Sequence, residues 1–179
     1  VSRRTTVAVV ALFAWTVLAV ALVAQTAQAG SKEKATRAFE ALKSLEGKWA
    51  GTAGAGEESN PVEIIYKVTA AGSALMETLM PGTENEMVTV YHMDGDRLML
   101  THYCAGGNQP RMVLDPDSPE GDLHFRFDGG TNMNSEKDPH MHEATIHIGD
   151  AGRLECEWVG FNEGKQSETM AFSLTRSSE

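Results

Sequence analysis

The run from Glu86 to Met112, EMVTVYHMDGDRLMLTHYCAGGNQPRM, constrains this chain more than any other stretch, because it can close on itself without help from the rest. Two alternating segments, Met87 to Met93 and Arg97 to Cys104, flank Asp94-Gly95-Asp96. The Asp-Gly pair supplies the positive φ that a tight antiparallel hairpin requires. Successive side chains of a strand point to opposite faces, so residues two apart travel together. Leu98, Leu100, His102 and Cys104 share one side of the second segment, opposite Met99, Thr101 and Tyr103. In the first, Val88, Val90 and His92 oppose Met87, Thr89, Tyr91 and Met93. A strand wetted on one face would alternate cleanly. Neither face does so here, which predicts one face in a core and the other lining a cavity.

The period of two extends well beyond the hairpin. Strands are predicted at Lys48 to Ala53, Val62 to Thr69, Ala74 to Met80, Met87 to Met93 and Arg97 to Cys104. Five more follow at Arg111 to Leu114, Leu123 to Asp128, His142 to Ile148, Arg153 to Phe161 and Ser167 to Arg176. Turn chemistry such as Pro81-Gly82, Asp128-Gly129-Gly130 and Asn162-Glu163-Gly164 separates most of them. About ten short strands with hairpin-length links predict an all-β antiparallel meander, which hides its edges best by closing into a roughly ten-stranded barrel. The longest irregular stretch, Gly129 to Pro139, predicts a mobile polar loop. Before the strands, Ala35, Ala38, Phe39, Leu42 and Leu45 recur at helical spacing among Lys and Glu. This predicts one short amphipathic helix over about residues 32–45, packed across a barrel end.

The beginning of the chain reads as an address. Ser2-Arg3-Arg4 is positive, Val7 to Val23 is apolar and uncharged, and Ala27-Gln28-Ala29 before Gly30 is a small-x-small cleavage pattern. Residues 1–29 are expected to be a signal peptide, with an uncleaved anchor as the competing reading. The Arg pair partly matches a twin-arginine signal, but Thr6 stands where that signal has a large apolar residue, so the export route stays open. Cleavage would leave residues 30–179 as a single domain, periplasmic or secreted. Losing Arg3 and Arg4 takes the net charge from −10 to −12. So acidic a surface repels nucleic acid and anionic lipid. The expectations are no nucleic-acid partner, no membrane partner after cleavage, and a monomer. Cys104 and Cys156, the two cysteines, could pair in an oxidising compartment or remain free thiols.

At Leu45-Glu46-Gly47-Lys48-Trp49 the pattern resembles a known family. A Leu-x-Gly-x-Trp run after a short helix and opening the first strand is similar to the start of the calycin superfamily, which includes lipocalins, fatty-acid-binding proteins and nitrobindins. Within it the chain resembles bacterial exported calycin-like domains of unassigned function. The resemblance implies that Trp49 closes one barrel end against a basic residue of the last strand, for which Arg176 stands in position as a cation–π partner. It also implies a small apolar or amphipathic ligand in the barrel. The composition is compatible: six of the nine Met residues fall between Met76 and Met112 and could give an adaptable lining, or merely fill an irregular core. Nitrobindins carry a haem-ligating His early in the last strand, whereas Gln166-Ser167-Glu168-Thr169-Met170 contains none. No cofactor is expected on that ground.

Other chemistry is weakly marked. His140-x-His142 with Glu143 and His147, and His102-x-Cys104, are incomplete as metal sites, since a metal needs three or four convergent ligands. No Gly-x-Ser-x-Gly, phosphate loop or dinucleotide fingerprint occurs. The segment Thr101 to Met112 holds a base, a phenol, a thiol, amides and a guanidinium, as a pocket rim would. Gly106 and Gly107 could fold it over a barrel mouth. The candidate ligand-binding residues are His102, Tyr103, Asn108, Gln109, Arg111, Glu77 and Tyr91, with Glu77 needing a partner such as Arg97 or Arg111 if buried. The expected function is an exported small-molecule-binding barrel. Two alternatives stand beside it: a small enzyme using His102, Tyr103 and Arg111, and a structural or protein-interaction barrel with a filled core.

Overall fold

The computed structural model describes residues 29–55, 58–119 and 121–177. The expected signal peptide lies, apart from Ala29, outside them. Residues 29–43 are helical (α1), and ten strands follow. These are β1 (Gly47–Gly54), β2 (Asn60–Thr69), β3 (Ala74–Leu79), β4 (Met87–Asp94), β5 (Arg97–Tyr103), β6 (Gln109–Leu114), β7 (Asp122–Thr131), β8 (His140–Ile148), β9 (Arg153–Asn162) and β10 (Lys165–Arg176). Each strand pairs antiparallel with its neighbours in sequence, and β10 returns to β1, so the sheet closes as a barrel. Closure removes every free edge, which is how a meander of short strands protects its unpaired backbone groups.

Closure also decides which face is inside. Leu98, Leu100 and His102 point inward from β5, as do Thr89 and Tyr91 from β4 and Leu75, Glu77 and Leu79 from β3; all are buried. The opposite faces do not line a cavity as the hairpin pattern predicts. They form the barrel exterior, where Tyr103 is half exposed. Only Met99 of that outer set is buried within the hairpin's second strand.

Helix α1 plugs one end. Ala35, Ala38, Phe39, Leu42 and Leu45 are buried and join Trp49, Leu98, Leu114 and Leu154 in one core. Lys34 Nζ donates to the carbonyls of Pro116 (2.5 Å) and Ser118 (2.6 Å), tying the helix to the β6–β7 loop. The Leu45-x-Gly47-x-Trp49 run forms the hinge between helix and barrel. Trp49 Nε1 donates to Leu45 O at 2.7 Å, and Arg176 lies over the indole ring at 4.7 Å. The same guanidinium donates to Ser44 O (2.7 Å) and Glu46 O (2.6 Å). Gly47 has φ +126°, and a Cβ there would approach Arg176 Nη1 to 3.0 Å. Glycine therefore supplies both the backbone conformation and the room for the guanidinium.

The loop bounds shift, and the two cysteine alternatives resolve. The β7 strand continues through Thr131, and the remaining loop is tied by Asp138, whose carboxylate accepts from Asn134 N–H at 2.7 Å, while Asn134 Oδ1 accepts from Glu136 N–H at 3.0 Å. Asn and Asp side chains here satisfy their own backbone, as they do in Asx turns. Cys104 and Cys156 are unpaired: Cys156 is buried in the barrel and Cys104 lies at the end of β5.

Candidate functional site

A row of polar side chains crosses the apolar interior. Tyr66 of β2 pairs with Glu77 of β3, Glu77 with Thr89 of β4, and Thr89 with His102 of β5. All four residues are buried. Burying such groups costs free energy unless each finds a partner. Tyr91 donates its hydroxyl hydrogen to Glu77 Oε2 at 2.5 Å. Thr89 Oγ1 and His102 Nδ1 form a hydrogen bond at 3.0 Å. Among the described residues His102 Nε2 has no hydrogen-bond partner, and the Tyr66 hydroxyl lies near Glu77 and the Cys156 thiol without a bond of regular geometry.

The electrostatics follow from burial. Desolvation raises the Glu77 carboxyl from its ordinary 4.5 to about 7, against the opposing hydrogen bond from Tyr91. Desolvation holds His102 down at about 4, so its ring is neutral near pH 7. Tyr66, Tyr91 and the Cys156 thiol are all pushed well up, first by burial and then by the neighbouring Glu77 charge. Near neutral pH the cluster thus contains one group able to change charge, Glu77.

Above this row, at the end opposite α1, a cavity of about 100 Å³ opens. Glu77 and His102 border it but turn almost no polar surface into it; Met80, Met87, Met141 and Met170 form a sulfur-rich wall. Trp158 and Phe172 add aromatic surface, and the His102 ring packs on Trp158 with centroids 5.0 Å apart. Ala53, Val62 and Leu79 complete it.

Local irregularity aims these side chains. Leu79 already faces inward, so regular alternation would send Met80 out. Met80 instead has φ +53°, and both residues line the cavity. A left-handed non-glycine residue is strained and is found where the surroundings over-determine it. Register shifts between Met141 and Glu143, and between Gln166 and Thr169, precede Ala144 and Met170 at the same end. The first pairs Met141 with Gly160, on the face of Trp158 and Cys156. Bulges at a barrel rim re-aim side chains in this way.

The expected site residues divide. Glu77, Tyr91 and His102 come together in the interior. Asn108 is buried at the same end, donating from Nδ2 to Pro139 O at 2.8 Å while its Oδ1 has no partner. Gln109 is used up by structure: Oε1 accepts from Thr131 and Asn132, each at 2.8 Å. Tyr103 and Arg111 are exposed on the outside, and Arg111 lies over Gly129, where a Cβ would come within 3.2 Å of Nη2. Glu77 takes Tyr91 as its partner, not Arg97 or Arg111; Arg97 pairs with Asp94 at 2.7 Å.

The residues absent from the expected set are Thr89, Met141, Trp158 and Met170. Thr89 was within reach of sequence reasoning, because the Asp94-Gly95 turn sets it opposite His102. Met141 carried no such signal, since a bulge places it, whereas Met170 follows by simple alternation from Phe172 and Leu174. Among the described residues no cluster of three or more His, Cys, Asp or Glu is arranged to hold a metal. His140 and His142 instead bond each other at 3.0 Å, and His142 stacks on Phe161 with centroids 3.9 Å apart.

The architecture is that of a closed ten-stranded antiparallel barrel, consistent with a calycin-like fold. A scan against family models and a search of curated proteins return no match.

Proposed function

We propose that this protein is a small-molecule-binding barrel, exported to the periplasm or beyond, whose ligand seats in the Met-lined mouth. The observation that carries the reading is an almost wholly apolar cavity, walled by four methionines, at the barrel end opposite α1. A mostly apolar concavity in the mouth of a barrel is where a small ligand seats. Export is supported by the pattern of residues 1–29, and calycin membership by the barrel together with the Leu45-x-Gly47-x-Trp49 hinge.

The cavity restricts what enters. Ligand pockets commonly exceed about 300 Å³, whereas Tyr66, Tyr91, Phe125 and Leu100 fill the barrel below Glu77. A long lipid has no room between the strands; a short apolar molecule fits at the mouth. His102, Tyr103 and Arg111 do not converge, so an active site built on those three has no geometric support.

The nine Met methyls offer the test. With 13C-methyl labelling, 1-hexanol added in millimolar amounts should shift Met80, Met87, Met141 and Met170 while leaving the fully buried Met112 in place. Saturable shifts at those four methyls support the reading. Their absence, or shifts spread over all nine, overturns it.

A further inference from the structure

Beyond the binding of a small molecule, we propose that the four methionines of the mouth form a thioether site for one soft monovalent cation, Cu(I), with Ag(I) as its redox-inert equivalent.

Four of the eleven residues bordering the cavity are Met, against nine in the whole chain, so the wall draws sulfur well beyond its share. Met87 and Met170 face it by simple alternation, in step with Tyr91 and with Phe172. Met80 and Met141 do not. Met80 faces it through a left-handed backbone at φ +53°, and Met141 through the bulge before Glu143. A positive φ at such a residue costs about 1–3 kcal/mol and persists where the surroundings require the side chain there. A leucine on a regular strand would fill an apolar wall without that cost. In the closed ring β3 and β8 stand opposite each other, so Met80, which follows β3, and Met141 of β8 reach about 100 Å³ of space from facing sides. Thioether sulfur is neutral, polarisable and soft, and soft ligands select Cu(I).

The rest of the wall disfavours other metals. It offers no thiolate, and the one imidazole bordering it keeps Nε2 out of the cavity and engages Nδ1 with Thr89. Zn(II) and Cu(II) bind through imidazole, thiolate or carboxylate, and Ca(II) and Mg(II) through several oxygens. Glu77 turns almost no polar surface inward, so those ions find no ligand set. Charge points the same way. The cost of taking an ion out of water rises with the square of its charge, and neutral thioethers leave that charge uncompensated, which favours a monovalent ion over a divalent one. The Trp158 ring borders the same space and adds an aromatic face for a cation.

The test uses the folded protein with 13C-methyl-labelled Met and the substitution Cys104→Ser, which removes the more exposed of the two thiols. One equivalent of Ag(I) should shift the methyls of Met80, Met87, Met141 and Met170 together, saturate at one ion per chain and leave Met112 in place. Zn(II) at the same concentration should move none of the four. Cu(I), kept reduced by ascorbate under nitrogen, is then titrated in competition with bicinchoninate. The double variant Met87→Leu, Met170→Leu keeps volume and apolar character, a swap that cores tolerate, and removes two sulfurs. Losing an outer partner of a metal ligand already costs about 10–100-fold in affinity, so losing two ligands should weaken Cu(I) binding by at least about a hundredfold. Ag(I) shifts that miss the four methyls, a response to Zn(II) as large as that to Ag(I), or an unchanged Cu(I) affinity in the double variant overturns the site. The methyl map needs no Met substitution, so it decides the matter even if the double variant does not fold. Failure of Ag(I) where 1-hexanol still shifts the four methyls removes the metal site alone; failure of 1-hexanol where Ag(I) binds removes the small-molecule reading alone.

Discussion

Glu77 and His102 impose opposite pH dependences on the same cavity. The folded protein holds the Glu77 proton up to about pH 7, while an ordinary carboxyl releases it near 4.5. Raising the pH through that window therefore removes stability. His102 refuses a proton down to about pH 4, whereas an ordinary imidazole takes one near 6.5. Lowering the pH through that window removes stability in turn. Each effect amounts to about 3 kcal/mol, since a pH unit of displacement corresponds to about 1.4 kcal/mol. In the parent they largely cancel. Relative to the parent, Glu77→Gln should lose about 3 kcal/mol as the pH falls from about 7 to 4.5, and His102→Phe should gain about as much between 6.5 and 4. Urea denaturation across this range measures both, and parallel curves for variant and parent would count against a buried, titrating row. Part of this was legible in the chain. Glu77, Tyr91 and His102 stand out as polar residues on otherwise apolar faces, and the turn at Gly95 sets Thr89 against His102. That Tyr91 and not an arginine answers Glu77 was not, because the bond runs between adjacent strands whose closure fixes which way both side chains point.

At the scale of elements, the helix and the first and last strands meet at Arg176. One guanidinium spans the carbonyls of Ser44 and Glu46 and covers the Trp49 ring, joining the helix end, the start of β1 and the end of β10. The planar fork matters, because an ammonium is a point charge that cannot serve two carbonyls and an aromatic face at once. Arg176→Ala should lower stability by about 1–2 kcal/mol, a modest figure because the side chain is exposed, and Arg176→Lys should recover only part of it. Urea unfolding followed by Trp fluorescence measures this, and an unchanged midpoint in Arg176→Ala would remove the contact from the barrel's closure. The helix and the ten strands are visible in periodicity and turn residues, within a few residues at each boundary, and the contact of Trp49 with Arg176 is what the calycin resemblance implied. The bulges at Met141/Glu143 and Gln166/Thr169 and the left-handed Met80 are not. Each breaks alternation in response to neighbours far along the chain, so no local pattern announces it.

For the molecule as a whole, the mouth is marked by its sulfur, with four methionines around one cavity. Mild peroxide should convert Met80, Met87, Met141 and Met170 to sulfoxides ahead of the buried Met112. An apolar wall becomes polar, and 1-hexanol binding should be lost while the far-ultraviolet spectrum of the barrel persists. Peptide mapping and titration check this together; retained binding with all four oxidised would show that these residues do not form the wall. The sequence by itself determined the strands, their order as a meander, the helix at the closed end and which residues within each strand share a face. Only the tertiary structure decided which face is inside, that Arg111 and Tyr103 stand outside, and that two of the four cavity methionines come from beyond the Met76–Met112 run. The physical reason is that alternation is a local, relative property of a strand. Inside and outside exist only once β10 closes on β1, and a cavity belongs to the side chains of many strands at once.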